Sequence, residues 1–201
     1  AADDLAQLQQ QHVLDWLLSN HDAHAENFLR LTNGRLVGID RAQTFKYFGR
    51  DRLDISYNPN ATAQHPRTLY NEMFQAVKAG HMTVDPAHTL AAIARVEALS
   101  DTDYLALLKP YAERRFARDA RGLQGFYDAA LARKHTLRQD FEGFYREVLG
   151  DKHFTFDAFG KKDFGRLPQA VVDDLVRDIP KLGYQGKALP FDADMVEDQN
   201  L

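Results

Sequence analysis

The stretch Asn20-His21-Asp22-Ala23-His24-Ala25-Glu26-Asn27, followed by Asp40 at the end of Leu36-Val37-Gly38-Ile39-Asp40, decides how the chain is read. It sets a carboxylate, an amide and a second carboxylate in fixed order with apolar runs between them. Two short β-rich runs, Phe28-Leu29-Arg30-Leu31 and Leu36-Val37-Gly38-Ile39, flank Asn33-Gly34, a strong hairpin turn signal. Closing that hairpin places Asn27 and Asp40 at its two open ends, close enough to share a cation. Amide and carboxylate oxygens are the hard donors that suit magnesium. Upstream, Leu5, Leu8, His12, Trp16 and Leu17 fall on one face of a helix over residues 3–19, which leads into the 20–27 loop. Trp16 and Leu17 read as core by their burial tendency.

Phosphoryl transfer from ATP needs such a set: one carboxylate orients or accepts the acceptor's hydroxyl proton, and an amide and a carboxylate hold magnesium. In the protein-kinase signature H-R-D-L-x-x-x-N, four residues separate the catalytic Asp from the metal-binding Asn. Four residues likewise separate Asp22 from Asn27. With His24 two after Asp22, the D-x-H-x-x-N pattern resembles the phosphatidylinositol 3/4-kinase-like group and the HipA-type serine kinases. The run from Leu14 to Phe28 is particularly similar to the HipA pattern. Ile39-Asp40-Arg41-Ala42-Gln43-Thr44-Phe45 resembles the I-D-x-G-x-x-F of bacterial and type II phosphatidylinositol 4-kinases. The chain departs from these patterns at Ala42, where glycine is usual, and at Asn20, where ordinary kinases carry the first His. Neither departure removes a metal ligand or the base.

The resemblance spans residues 5–50. It implies Asp22 as catalytic base or hydroxyl-orienting group, His24 as support for the loop or the transferring phosphate, and Asn27 and Asp40 as ligands to magnesium or manganese with ATP as donor. It also implies a mainly α fold with a small β-hairpin over residues 1–187, the C-terminal catalytic lobe of a protein-kinase-like fold. Within it fall a catalytic loop (20–27), a metal-binding strand end (36–40) and a helical subdomain (67–182), with an acidic tail over 188–201. No G-x-G-x-x-G and no V-A-x-K pattern occurs, so the N-terminal lobe is expected on a longer form of this chain, on another chain, or replaced by a permuted and divergent nucleotide-binding arrangement, the first being the most economical. The implied acceptor is a hydroxyl of a protein Ser/Thr or of an inositol lipid, with protein favoured because the sequence shows no clear lipid-binding surface. Small-molecule phosphotransferases of the aminoglycoside and choline type share the same three residues. A non-catalytic pseudokinase or interaction scaffold is the alternative outside enzymes.

Bulk properties fit one domain or large lobe: 201 residues, ordinary apolar content and a net charge of −4. The absence of a basic surplus argues against nucleic acid as a partner. With no cysteine there are no disulfides or thiolate metal sites. No apolar run approaches a membrane span, and residues 1–11 lack the pattern of a signal peptide.

The remaining pattern is helical. A long irregular segment, Phe45 to Pro66, lies where a kinase carries an activation or substrate loop. Helical pattern returns over 67–79. Asp85-Pro86 opens a helix through Leu90, Ile93 and Val96. Ser100-Asp101-Thr102-Asp103 opens another with Tyr104, Leu107, Leu108 and Tyr111. Arg114, Arg115, Arg118 and Arg121 make a basic helical stretch, with Arg133 beyond, read as a solvated face. Helices are expected over 126–149 and 168–182. Phe154, Phe156, Phe159 and Phe164 read as packing residues. Asp163-Phe164-Gly165 spells D-F-G but follows Lys161-Lys162 instead of an apolar strand, so Asp40 is its functional counterpart. His65, His81, His88, His135 and His153 lack the spacing of a zinc helix.

Overall fold

The computed structural model describes residues 2–55 and 68–159, together with Asp173, Val176 and Arg177. Within these residues the chain is mainly α-helical with one two-stranded antiparallel sheet. Helix α1 (Ala2–Leu17) leads through a loop and a single 3-10 turn (Ala25–Asn27) into β1 (Phe28–Arg30) and β2 (Leu36–Gly38). There follow α2 (Leu69–Lys78), α3 (Pro86–Ala98), α4 (Asp101–Arg115), α5 (Ala120–Leu149) and the short α6 (Phe156–Phe159).

The caps follow the sequence signals. The Asp85 side chain accepts from the Ala87 amide with Pro86 in the first turn, and Ser100 accepts from the Asp103 amide. Helix α5 starts six residues earlier than its apolar anchors suggested, at Ala120 against the expected 126. The Asp119 carboxylate caps it by accepting from the Gly122 amide, and that bond offsets the low helix propensity of Gly122 and Gly125. The basic stretch is therefore not one helix: α4 ends at Arg115, and a turn carries the chain into α5. Apart from Asp173, Val176 and Arg177, the expected helix over 168–182 lies outside the described residues, as do Asp163-Phe164-Gly165 and the acidic tail.

The main core gathers Leu5, Leu8 and Trp16 of α1, Phe28 and Leu36 of the hairpin, and Met73, Phe74, Ile93, Phe141 and Tyr145 from the later helices. Gln9, fully buried on α1, donates to the Asp85 carbonyl (2.8 Å) and to the Tyr145 hydroxyl (3.0 Å). That ties α1 to α3 and α5, at about 1 kcal/mol net per bond. A second cluster joins Leu17, Tyr104, Leu108, Ala112, Phe126 and Ala130. Phe45 and Phe48 pack against it, so the start of the segment read as an irregular loop is anchored by aromatic burial. Phe154 and Phe156 are buried against Tyr145, as packing residues.

Candidate active site

Helix α1 ends in the bond pattern of a Schellman cap: the Ser19 amide donates to the Trp16 carbonyl (3.0 Å) and the Asn20 amide to that of Asp15 (2.8 Å). Ser19 occupies the left-handed position with φ 52°, where glycine is the usual residue. Its hydroxyl donates to Asp51 Oδ2 at 2.8 Å, which holds the serine in that conformation. The cap turns the chain sharply, so residues 20–24 run across the end of α1. Asn27 closes the loop: its Nδ2 donates to the Asp22 carbonyl at 2.6 Å, and its amide donates to the His24 carbonyl at 2.9 Å.

The hairpin brings the second carboxylate to the same place. Phe28 pairs with Gly38, Leu29 with Val37 and Arg30 with Leu36. One step further the Ile39 amide donates to the Asn27 carbonyl at 2.8 Å. Asn27 and Asp40 therefore sit at the open end of the hairpin, on adjoining strands. Asp40 adopts φ 47°, a left-handed conformation that Asp tolerates better than most residues. Its side chain is exposed, with no hydrogen-bond or ionic partner among the described residues.

The cation nearest in sequence is held away from it. Arg41 donates through Nε to Asp15 Oδ1 (3.0 Å), through Nη1 to the Gly38 carbonyl (2.8 Å) and through Nη2 to Gln11 Oε1 (2.5 Å). Gly38 leaves room for this: a Cβ there would lie 2.5 Å from Arg41 Nη2. Asp15, 2% exposed on α1, is the hub of the arrangement. It also accepts from Asn20 Nδ2 (3.0 Å) and from the Tyr70 hydroxyl (2.5 Å). Burial and the Asp15 charge push the Tyr70 hydroxyl well above its usual range, so it stays a donor.

A second buried carboxylate grips the loop from the other side. Asp51 accepts from Ser19, from His21 Nε2 (2.7 Å) and from both terminal nitrogens of Arg133 on α5. Burial alone would raise its carboxyl, but the bonds from His21, Arg133 and Ser19 and the Arg133 charge outweigh that and hold it well below the carboxylate range. Arg133 also donates to the Trp16 carbonyl (3.0 Å) and lies over the Trp16 ring, 4.0 Å from its centroid. Asp15 and Asp51 thus fix Ser19, Asn20 and His21 at the start of the Asp22 loop, and Asp15 also fixes Arg41 beside Asp40.

Asp22 and His24 are both half-buried. His24 Nε2 stands 3.8 Å from Asp22 Oδ1 and His24 Nδ1 3.9 Å from Glu26 Oε2, beyond hydrogen-bond length. His24 is therefore near the candidate base without a direct bond to it. Two concavities flank the loop. A cavity of about 40 Å³ lies behind it, lined by His12, Asp15, Trp16, Asn20 and His21 among others. A groove of about 560 Å³ runs between Gly49–Leu53 and α5. Neither is lined by Asp22, Asn27 or Asp40, of which Asn27 is buried, Asp22 half-buried and Asp40 exposed.

All four residues expected at the site fall in the loop or at the hairpin end. The residues that support them were not anticipated. Asp15 had a visible signal, a carboxylate inside the apolar run Val13-Leu14-Asp15-Trp16-Leu17-Leu18, and buried carboxylates are rare unless paired. Asp51 and Arg133, 82 positions apart, had none. The outward face of the hairpin was also missed: Leu29, Val37 and Ile39 alternate with the inward Phe28, Leu36 and Gly38 and make an apolar, partly exposed platform beside Asn27 and Asp40. Among the described residues, His81, His135 and His153 are exposed and His88 is half-buried, and no group of three or more His, Asp or Glu side chains is gathered for a metal ion. No protein-family model, curated protein or solved structure matches this chain.

Proposed function

We propose that this chain is the catalytic lobe of a kinase-like phosphotransferase that moves the γ-phosphate of ATP to a hydroxyl of a protein Ser/Thr or an inositol lipid. The supporting observation is the pairing of Asn27 with the residue before Asp40 beside the Asp22 loop, with the Asp40 carboxylate uncommitted and Arg41 bound elsewhere. A divalent cation fits this donor set. Asn27 spends its Nδ2 on the Asp22 carbonyl, which leaves the harder Oδ1 for a ligand. Magnesium is commonly held by one or two carboxylates plus phosphate oxygens, so one carboxylate and an amide suffice without a larger cluster. When bound, the cation neutralises charge on the transferring phosphate.

The chain's own groups have separate tasks. Asp22 orients the acceptor hydroxyl and takes its proton. Asn27 and Asp40 hold the nucleotide's cation. His24, within 4 Å of Asp22, supports the loop and the transferring phosphate. Leu29, Val37 and Ile39 offer a flat apolar surface for a planar base. The exposed, uncommitted Asp40 carboxylate suits a site completed by a second lobe carrying the phosphate-binding lysine.

The test is metal-dependent nucleotide binding. ATP titrated calorimetrically into the longest natural form of the protein, with and without magnesium, should bind only with the metal. Asp40→Asn should abolish the metal dependence while leaving the melting temperature within about 2 °C, since exposed side chains away from structural contacts contribute little to stability. Equal binding with and without magnesium in the native protein contradicts the assignment.

A further inference from the structure

The end of the molecule where α4 meets α5 carries a basic and apolar surface that the fold assembles from two distant segments. Tyr111 packs at a tilt against Phe45 (4.9 Å between centroids), and Phe126 packs against both Phe45 (5.1 Å) and Phe48 (5.6 Å). Lys46 follows Phe45 directly and Arg50 lies two residues beyond Phe48, so both belong to the segment that these contacts fix to α4 and α5, the helices whose corner holds Arg114, Arg115, Arg118 and Arg121. All six cations are exposed. Among the described residues none of the four corner arginines has a carboxylate partner. The two acidic residues of the corner are engaged: Glu113 lies 3.6 Å from Lys109, and Asp119 caps α5. In a chain of net charge −4, this concentration of positive charge is local and opposite in sign to the whole.

Apolar side chains share the same surface. Leu107 is 70% and Tyr111 41% exposed, and with Arg114 they lie at i, i+4 and i+7 on one stripe of α4. Every residue from Ala117 to Arg121 is exposed, so the corner protrudes, and neither concavity beside the loop is lined by it. A protruding surface with cations around an exposed leucine and tyrosine matches the chemistry of an anionic lipid interface: the cations meet the headgroups while the apolar groups enter the boundary. An extended acidic polymer would be better served by a groove.

We infer that the α4–α5 corner, with Lys46 and Arg50, docks on the surface of an anionic membrane. The inference does not depend on the phosphotransfer reading, because none of its residues belongs to the Asp22 site. If both hold, the docked corner sets Phe45 and the segment after Asp40 next to the bilayer, which favours an inositol lipid as the acceptor.

The experiment is co-sedimentation of the full chain with phosphatidylcholine vesicles, with and without phosphatidylserine. The native chain should bind only the anionic vesicles, and salt should weaken binding. Each basic residue near an anionic surface is worth about fivefold in partitioning, so Arg114→Glu/Arg118→Glu/Arg121→Glu should lose at least about a hundredfold. A control reversing equal charge elsewhere, Arg35→Glu/Arg95→Glu/Lys152→Glu, should bind near the native level. Leu107→Ser should lose severalfold with its salt dependence unchanged. Circular dichroism establishes that each variant is folded. The inference is overturned by absent binding to anionic vesicles, by equal loss in the two triple variants, or by binding of the corner to an acidic peptide or RNA with no vesicle binding.

Discussion

Replacing Asp15 by Asn tests whether the buried carboxylate on α1 keeps Arg41 away from Asp40. Asp15 accepts one charged bond from Arg41 and two neutral ones from Asn20 and Tyr70, at 2% exposure. Asparagine keeps the shape but offers a single acceptor oxygen, and its amide nitrogen then faces donors. The charged bond is worth about 1.5–3 kcal/mol and a neutral one about 1 kcal/mol. Because the Arg41 side chain is 26% exposed, solvent screens part of the charge, and a total near 3 kcal/mol is expected. For a chain of this size that is a fall of about 6–12 °C in melting temperature. The discriminating measurement is a double-mutant cycle by urea denaturation. In an Arg41→Gln background, Asp15→Asn should cost only about 1 kcal/mol, giving a coupling of about 2 kcal/mol. A coupling below about 0.5 kcal/mol would refute the reasoning, since Arg41 would then be held by Gln11 and the Gly38 carbonyl without Asp15.

Two further outcomes concern the buried groups around the loop. Arg133→Met should leave the fully buried Asp51 without its main cation and cost about 3–5 kcal/mol; a loss under about 1 kcal/mol would mean that His21 and Ser19 suffice. Because the folded Asp51 carboxyl titrates below its unfolded value, its stabilisation is present above about pH 4 and fades as pH falls further. In the Arg133→Met variant that acid loss should shrink, because without the Arg133 charge the folded carboxyl titrates closer to its unfolded value. His12 sits among Tyr70, Phe74, Phe141 and Phe144 with Nδ1 unpartnered, and burial, then the nearby His21, push it down to about 3. The unfolded chain protonates this histidine first as pH drops below about 6.5, so it contributes stability at neutral pH that declines towards pH 3. The expected loss is about 2 kcal/mol at pH 5 and about 3 kcal/mol at pH 4. His12→Phe should remove this slope, and an unchanged pH profile in that variant would exclude His12 as its source.

The parts of the fold that could be read from the sequence are those set by local chemistry. Asn33-Gly34 between two short apolar runs specifies the hairpin, Asp85-Pro86 and Ser100 specify helix starts, and the Leu5-Leu8-His12-Trp16 stripe specifies the inner face of α1. Each needs only neighbours within a turn or two. Helix α5 was harder because Ala120 to Gly125 has few apolar anchors, and its start depends on the Asp119 cap. The segment after Asp40 looked irregular because Phe45 and Phe48 find their partners on α4 and α5, more than sixty positions later. The same limit applies at the site. Asp22, Asn27 and Asp40 were legible because their spacing is local to one loop and one hairpin. Asp51 and Arg133 are ordinary charged residues until tertiary packing buries them together. The basic stretch read as a solvated face is split by the α4–α5 turn, and the segment carrying Lys46 and Arg50 is fixed to the same two helices through Phe45 and Phe48, an arrangement that a helical pattern does not convey.

The most direct test of the central claim is transfer of radiolabelled γ-phosphate from ATP, with magnesium or manganese, by the longest natural form of the protein. Protein Ser/Thr and inositol-lipid acceptors would be offered beside Asp22→Asn and Asp40→Ala. The expected result is metal-dependent transfer to one of these acceptors by the native protein, reduced at least about a hundredfold in both variants while each remains folded. Transfer that persists in either variant, or no transfer to any acceptor by the native protein, would contradict it.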